Sequence, residues 1–141
     1  MELRGKLPRE QVLNIMGEAH ALVACSIREG WGLVVTEANS VGTPAVTYNV
    51  HGLRDSVRDG ETGLLTDTNP QALAAAVLRL IEDQTLYNRL RDNAIQWGGT
   101  HTWDNMSLSV LEHLGKTAGI PIAVPQEIID LREETRRTVH Q

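Results

Sequence analysis

Residues 22–53 constrain the fold of this chain more than any other stretch, because they combine a strand, a glycine-containing loop, a helix and a second strand. The apolar run at residues 22–25 predicts a strand that is buried on both faces, as in a parallel sheet. The loop at residues 26–32 carries a tryptophan with one glycine on each side of it. Residues 45–48 predict the second strand. This order favours an α/β domain with a parallel sheet.

The helix between the two strands has recognisable features at several positions. Its apolar residues recur at helical spacing, at Leu33, Val34, Ala38 and Val41. Gly42 stands where a left-handed helix terminator belongs, and Pro44 lies just beyond it. The glycine loop is therefore expected at the carboxyl end of one strand and at the N-terminus of the helix. Open α/β sheets bind their ligands at that place.

The loop predicts a ligand that carries both phosphate and hydroxyl groups. The free N–H groups and the positive dipole end of a helix attract an anion, and glycines let the backbone approach it closely. Glu29 in the loop and Glu37 about one turn into the helix would oppose a bare phosphate. They suit a ligand with hydroxyls, since an ionised carboxylate accepts hydrogen bonds and can hold a vicinal diol. Sugar and ribose together supply such hydroxyls.

Two segments of the chain resemble one enzyme family. EGWGLVVTE at residues 29–37, followed by ANSVGTPAV at residues 38–46, resembles the E-x7-E region of retaining glycosyltransferases of the GT-B fold, family 4 type. GLRDSVRDGETGLL at residues 52–65 is similar to the next segment of that family. The resemblance extends from about Leu3 to Leu114. It is specific because the glycine–aromatic–glycine insert, the Gly-Thr-Pro and the Asp-Gly-x-x-Gly-Leu-Leu turn all occur at the right distances.

The resemblance implies a fold and a domain plan. It predicts a Rossmann-like parallel sheet flanked by helices, similar to part of the C-terminal domain of a GT-B enzyme. Residues 1–115 are expected to form a nucleotide-sugar (donor) binding α/β domain that is incomplete at its N-terminus. Residues 116–141 are expected to form a C-terminal tail, helical in part. The N-terminal GT-B domain would then be a missing partner of this chain.

The resemblance also implies an activity for the intact protein. A hexosyl group would pass, with retained configuration, from a nucleotide diphosphate sugar to an acceptor glycan, lipid or small molecule. Glu29 would be catalytic and hold donor-sugar hydroxyls near the reacting carbon, and Glu37 would accept from the ribose hydroxyls. The sugar and diphosphate oxygens would meet the backbone N–H groups of Gly30, Trp31, Gly32 and Leu33. This fragment alone is expected to bind donor weakly and to be inactive, because the family's basic diphosphate-binding residues lie upstream.

Composition excludes several other classes of protein. A net charge of −5 with no basic stripe argues against a nucleic-acid partner, and no apolar run approaches the ~20 residues of a transmembrane segment. The single cysteine, Cys25, excludes an internal disulfide and is expected to be a buried thiol rather than a nucleophile. No histidine, cysteine or carboxylate grouping has metal-ligand spacing, so no metal is expected, and the resemblance implies no cofactor besides the donor substrate. The expected location is cytoplasmic, or peripheral at the inner face of a membrane in the intact protein.

The flanking segments predict further elements. Residues 1–4 are a candidate for a first strand that leads into the domain. Residues 8–16 predict a short helix that ends at Gly17. Residues 54–58 predict one helical turn, and Leu64 and Leu65 a short strand.

Later helices are predicted from caps and apolar periodicity. Asn69 as cap and Pro70 at the first position open a helix whose apolar stripe is Leu73, Val77, Leu80 and Ile81. Another helix is expected near residues 86–97, broken by Gly98-Gly99. A third is expected near residues 103–114, with Gly115 as its end and inward positions at Trp103, Val110, Leu111 and Leu114. Residues 127–139 predict an exposed helix.

Other interpretations of the same residues stay open. The chain can instead be a non-catalytic nucleotide-sugar-binding or scaffold module; a dinucleotide binder is disfavoured because no G-x-G-x-x-G follows the first strand. Glu29 and Glu37 can be ordinary solvated acids, and Trp31 a lid on the core. Asn39 and Arg54 depart from the family pattern, which weakens any assignment of the sugar.

Overall fold

A computed structural model describes residues 2–101, 103–120, 125–127 and 129–130. The chain divides into two compact units, residues 1–98 and residues 99–141. In the described residues, strands and helices follow one another in this order: α1 (Arg9–Glu18), β1 (Leu22–Ala24), α2 (Leu33–Ser40), β2 (Ala45–Tyr48), α3 (Leu53–Ser56), β3 (Gly63–Thr66), α4 (Pro70–Glu82), α5 (Gln84–Gly99) and α6 (Trp103–Ala118).

The first unit contains a parallel sheet in the order β1-β2-β3. Val23 pairs with Val46, and Val46 pairs with Leu64, so the three strands are in register across the sheet. All four residues of β2 are buried, as expected for a central strand. The predicted strand, loop, helix and strand are therefore confirmed, and with them the Rossmann-like α/β fold.

Each face of the sheet packs against its own helices. One core cluster joins the sheet to α4 and α5 through Val46, Leu64, Leu80, Leu86 and Leu90. The other joins it to α2 and α3 through Val35, Ala45, Leu53 and Val57. Since both faces are covered, the unit has the three layers typical of parallel α/β folds.

The helix starts and turns follow local sequence rules. The Asn69 side chain accepts a hydrogen bond from the Ala72 N–H at 2.8 Å, and Pro70 occupies the first turn of α4, as predicted. Gly42 ends the α2 segment with a φ of +81°, a conformation that side chains disfavour.

Two glycines predicted to end helices lie inside them instead, whereas α5 ends at Gly99, within the Gly98-Gly99 pair predicted to break it. Gly17 is in α1 and Gly115 in α6, and α6 ends before Gly119, whose φ is +65°. A glycine within a helix costs only about 1 kcal/mol relative to alanine, so packing can outweigh it. Gly98, in the last turn of α5, is also required by packing, because a Cβ there would lie 2.5 Å from the backbone nitrogen of Ser40.

Several predicted burial patterns are wrong. Leu33 is 73% exposed; α2 buries Ala38, as predicted, together with Val35 and Asn39. Val23, expected to be buried on both sides of a strand, is 47% exposed, because α4 packs on β2 and β3 but β1 lies at an edge of the sheet.

The remaining differences concern apolar positions and the chain ends. Ile81, Val110 and Leu114 are all more than half exposed, and Leu108 is the buried residue of α6 among those whose burial the structure describes. Residues 2–4 form no strand. The side chain of Trp103 and most of the helix predicted at residues 127–139 lie outside the described residues.

Candidate functional site

Two loops meet at the carboxyl edge of the sheet. Residues 25–32 follow β1 and residues 49–52 follow β2, and the two strands are parallel neighbours. Gly52 lies so close to Glu29 that a Cβ at position 52 would be 2.6 Å from the Glu29 carbonyl carbon. The first loop therefore contacts the second through the backbone of Gly52, with no side chain of residue 52 between them.

The second loop is fixed by its own hydrogen bond. The Gly52 N–H donates to Asp55 Oδ2 at 3.0 Å, which closes the start of α3. Gly52 has a φ of +86°, which glycine adopts without a Cβ penalty. His51 is exposed beside it, with Nδ1 4.0 Å from the same Asp55 oxygen.

The glycine loop turns into α2 at Gly32. Gly32 has a φ of +75° at the N-cap position, and a Cβ there would lie 3.0 Å from Ser56 Oγ and 3.1 Å from Leu53 Cδ2. Helix α3 therefore packs directly against the turn that starts α2. Gly30, by contrast, has open space where a Cβ would be and no positive φ.

The backbone at this turn presents N–H groups without protein partners. Among the described residues, no hydrogen bond engages the N–H groups of Gly30, Gly32 or Leu33, whereas the Val35 N–H donates to the Gly32 carbonyl at 2.9 Å. Such groups at a helix N-terminus can donate hydrogen bonds to an anionic oxygen. Three of the four predicted backbone donors are therefore available in this structure.

Glu29 is an exposed carboxylate at the same turn. The hydroxyl of Ser26 donates a hydrogen bond to Glu29 Oε1 at 2.9 Å. One carboxylate oxygen is thus engaged within the loop, and the other can accept from hydroxyl groups outside the protein.

Glu37 lies in the second turn of α2 and its side chain is 35% exposed. It forms an ion pair with Arg9 of α1, with Arg9 Nη2 3.2 Å from Glu37 Oε1. The guanidinium is 78% exposed, so the pair is a surface one, and such pairs stabilise a fold by about 0–1 kcal/mol. The carboxylate keeps room to accept further hydrogen bonds.

Trp31 is half-buried and held against α2. Its Nε1–H donates to Thr36 Oγ1 at 3.0 Å, which joins the loop to the helix that follows. This position is compatible with both predictions for Trp31, as a side chain that covers the core and as part of a ligand-binding loop.

Sequence reasoning missed three residues of this region. Ser26 is three positions before Glu29 in the same loop, and this short separation could have predicted its hydrogen bond to the carboxylate. Arg9 lies on a different helix from Glu37, and only the packing of α1 on α2 brings them together. The contact of Gly52 with Glu29 likewise depends on the pairing of β1 with β2.

Cys25 is exposed at the start of the glycine loop, which corrects the prediction of a buried thiol. Strand β1 ends at Ala24, so Cys25 already belongs to the loop rather than to the sheet. Within the described part of the chain, no three histidine, cysteine or carboxylate side chains lie close enough together to hold a metal ion. None of the helices found there has the length and apolar character needed to span a membrane.

Comparison with known proteins identifies the family. The family model described as glycosyl transferases group 1 matches residues 1–97, which include both loops and all three strands of the sheet. The chain belongs to the glycosyl transferases group 1 family.

Curated relatives within glycosyl transferases group 1 agree with this assignment. The chain is 31% identical over 121 residues to a D-inositol 3-phosphate glycosyltransferase of Corynebacterium urealyticum. The aligned region covers 85% of this chain and 28% of that protein. It is 42% identical over 87 residues to the protein of that name from Thermomonospora curvata, covering 61% of this chain and 20% of that one. An uncharacterized glycosyltransferase of Methanocaldococcus jannaschii is 31% identical, with 78% of this chain and 32% of that protein covered.

A solved structure supports the GT-B fold of this group 1 chain. Sucrose-phosphate synthase from Thermosynechococcus elongatus superposes with a TM-score of 0.72 at 28% identity, over 82% of this chain and 29% of that one. The predicted relation to the C-terminal part of a GT-B glycosyltransferase is confirmed. The chain spans less than a third of the lengths of these relatives.

Proposed function

We propose that this chain is the donor-binding part of a retaining glycosyltransferase, which transfers a hexosyl group from a nucleotide diphosphate sugar. The observation that carries the proposal is the turn at the start of α2. There the unpartnered N–H groups of Gly30, Gly32 and Leu33 belong to the segment that begins at Glu29 and ends at Glu37, and the first of these glutamates is exposed and the second partly exposed. N–H groups suit phosphate oxygens, and carboxylates suit hydroxyls.

The chemistry assigned to this turn is stabilisation of the leaving group. As the bond between the sugar and the diphosphate breaks, negative charge grows on the diphosphate oxygens, and preorganised N–H groups lower the energy of that state. Glu29 would hold sugar hydroxyls near the reacting carbon. Glu37 would accept from the two ribose hydroxyls. We propose no metal and no cofactor besides the donor.

The acceptor, the partner domain and the location are also proposals. The names of the curated relatives make an inositol phosphate one acceptor to test. The N-terminal domain of the GT-B fold would supply the acceptor side of the cleft. A single cysteine fits a reducing compartment, which favours the cytoplasm.

The proposal is tested by calorimetric titration of the chain with UDP-, GDP- and ADP-sugars and with the corresponding nucleoside diphosphates. We expect one nucleotide sugar to bind more tightly than its diphosphate, and Glu29→Gln to remove that difference. Glu82→Gln, which changes an exposed glutamate at the end of α4, is the matched control and should bind like the wild-type chain.

The outcomes separate the open interpretations. Binding of nucleotide sugar without transfer, even when the N-terminal half of a relative is added, favours the scaffold module. No binding of any nucleotide or nucleotide sugar contradicts the proposal.

A further inference from the structure

The backbone that carries Glu29 is fixed, but its side chain is exposed. Gly52 approaches the Glu29 carbonyl so closely that this part of the loop has little freedom to shift. The carboxylate itself extends from an exposed residue on a side chain with several rotatable bonds. Ordering a glutamate side chain costs rotamer entropy. A carboxylate that must meet a sugar hydroxyl therefore benefits from a group that orients it beforehand.

Ser26 is such a group. Its half-buried side chain donates a hydrogen bond from Oγ to Glu29 Oε1 at 2.9 Å. In the part of the chain that the structure describes, no ion pair engages Glu29, although Arg28 is its neighbour in sequence. The hydroxyl contact is therefore the polar side-chain interaction that holds this carboxylate.

The contact leaves Glu29 able to bind a ligand. A carboxylate accepts about four hydrogen bonds, and a serine hydroxyl occupies one of them at Oε1. An arginine or lysine in the same place would compete for the whole carboxylate, whereas a neutral hydroxyl fixes one oxygen and leaves Oε2 for the ligand.

We propose that Ser26 is a positioning residue that orients the Glu29 carboxylate toward the hydroxyls of the donor sugar. The inference depends on the proposed donor-binding function. It assigns to Ser26 a part in recognising the sugar and none in recognising the nucleotide.

The test compares nucleotide sugar with nucleoside diphosphate for four variants of the chain. Ser26→Ala should weaken binding of the preferred nucleotide sugar about three- to tenfold, the usual range for one lost hydrogen bond, and leave binding of the diphosphate unchanged. Ser26→Thr keeps the hydroxyl and should restore sugar binding. Ser40→Ala is the matched control, since the Ser40 hydroxyl donates to the Glu37 carbonyl at 2.7 Å at the opposite end of α2. Glu29→Gln serves as the reference for loss of the sugar contribution, and thermal unfolding checks that every variant folds.

The results distinguish failure of this inference from failure of the proposed function. If Glu29→Gln removes the sugar contribution and Ser26→Ala does not, the role of Ser26 is overturned and the donor site stands. If Ser26→Ala weakens sugar and diphosphate equally, or Ser26→Thr fails to restore binding, Ser26 serves only the loop structure. If the wild-type chain binds nucleotide sugar and diphosphate equally, the roles of Glu29 and Ser26 in recognising the sugar are overturned and nucleotide binding stands. If it binds neither, both proposals fall together.

Discussion

Gly52 meets the backbone of Glu29 with no side chain between them. A Cβ at position 52 would lie 2.6 Å from the Glu29 carbonyl carbon, closer than real Cβ contacts allow, and 3.0 Å from the Glu29 Cβ. This contact ties the loop after β2 to the loop after β1. The position of the backbone that carries the candidate carboxylate therefore depends on a glycine 23 positions later in the sequence.

Gly52→Ala should lower the free energy of unfolding by more than the cost of placing alanine at a positive φ. Gly60 is the matched control, because its φ is +71° but a Cβ there meets nothing within 4 Å. Gly60→Ala should cost about 1–2 kcal/mol, the usual penalty of left-handed backbone, and Gly52→Ala clearly more, since the loop must also move. Urea unfolding measures both. Equal losses would mean that the contact with Glu29 is readily relieved.

Gly30→Ala should separate ligand binding from folding. Because Gly30 has no positive φ and open space at its Cβ position, the fold does not require glycine there. We expect the free energy of unfolding to stay within about 1 kcal/mol of the wild-type value. Donor affinity should fall about tenfold, because the new methyl group keeps phosphate or sugar oxygens from the nearby N–H groups. Unchanged donor affinity would remove Gly30 from the site.

The elements around the site could be predicted because their boundaries depend on local chemistry. Gly42 with its φ of +81° and the Asn69 cap of α4 both appear where the sequence placed them. The wrong predictions depend on tertiary contacts. Leu33 belongs to the predicted apolar stripe of α2, yet it is 73% exposed, whereas Val35 packs in the core cluster with β2 and α3. Periodicity likewise places Ile81 on an apolar helix face, but it does not show whether another element packs on that residue, and Ile81 is more than half exposed.

Glu37→Ala should weaken nucleotide binding with little effect on folding. Loss of a carboxylate that accepts from ribose hydroxyls should cost about 1–3 kcal/mol of binding, roughly five- to more than a hundredfold. The surface ion pair with Arg9 should contribute at most about 1 kcal/mol to folding. Arg9→Ala is the control that breaks the same pair and keeps the carboxylate. If both variants lose nucleotide affinity equally, the ion pair matters rather than the acceptor.

Asn39→Leu should stabilise the chain. The Asn39 side chain is fully buried in α2, and neither its Nδ2 nor its Oδ1 has a hydrogen-bond partner in the described structure. A buried amide without partners costs about 1–3 kcal/mol, so an apolar side chain of similar volume should recover about that amount. Thermal and urea unfolding test this. A less stable variant would show that the amide has a hydrogen-bonded role in solution.

The candidate site was predictable only in part. Glu29, Glu37 and the backbone donors lie within one continuous segment, so the resemblance of residues 29–37 to the family was enough to nominate them. Arg9 comes from a separate helix, and its ion pair with Glu37 requires the packing of α1 against α2. A linear motif contains no information about that contact.

The most direct test of the donor site is NMR mapping of backbone amides in the ¹⁵N-labelled chain. The chain is titrated with the nucleotide sugar that binds best and, separately, with its nucleoside diphosphate. We predict that the largest shifts fall on the amides of Gly30, Trp31, Gly32 and Leu33, with a smaller shift at Glu37 for both ligands. Glu29 should respond to the nucleotide sugar more than to the diphosphate. Shifts confined to other parts of the chain, or none at saturating ligand, would contradict the assignment of this turn as a donor site.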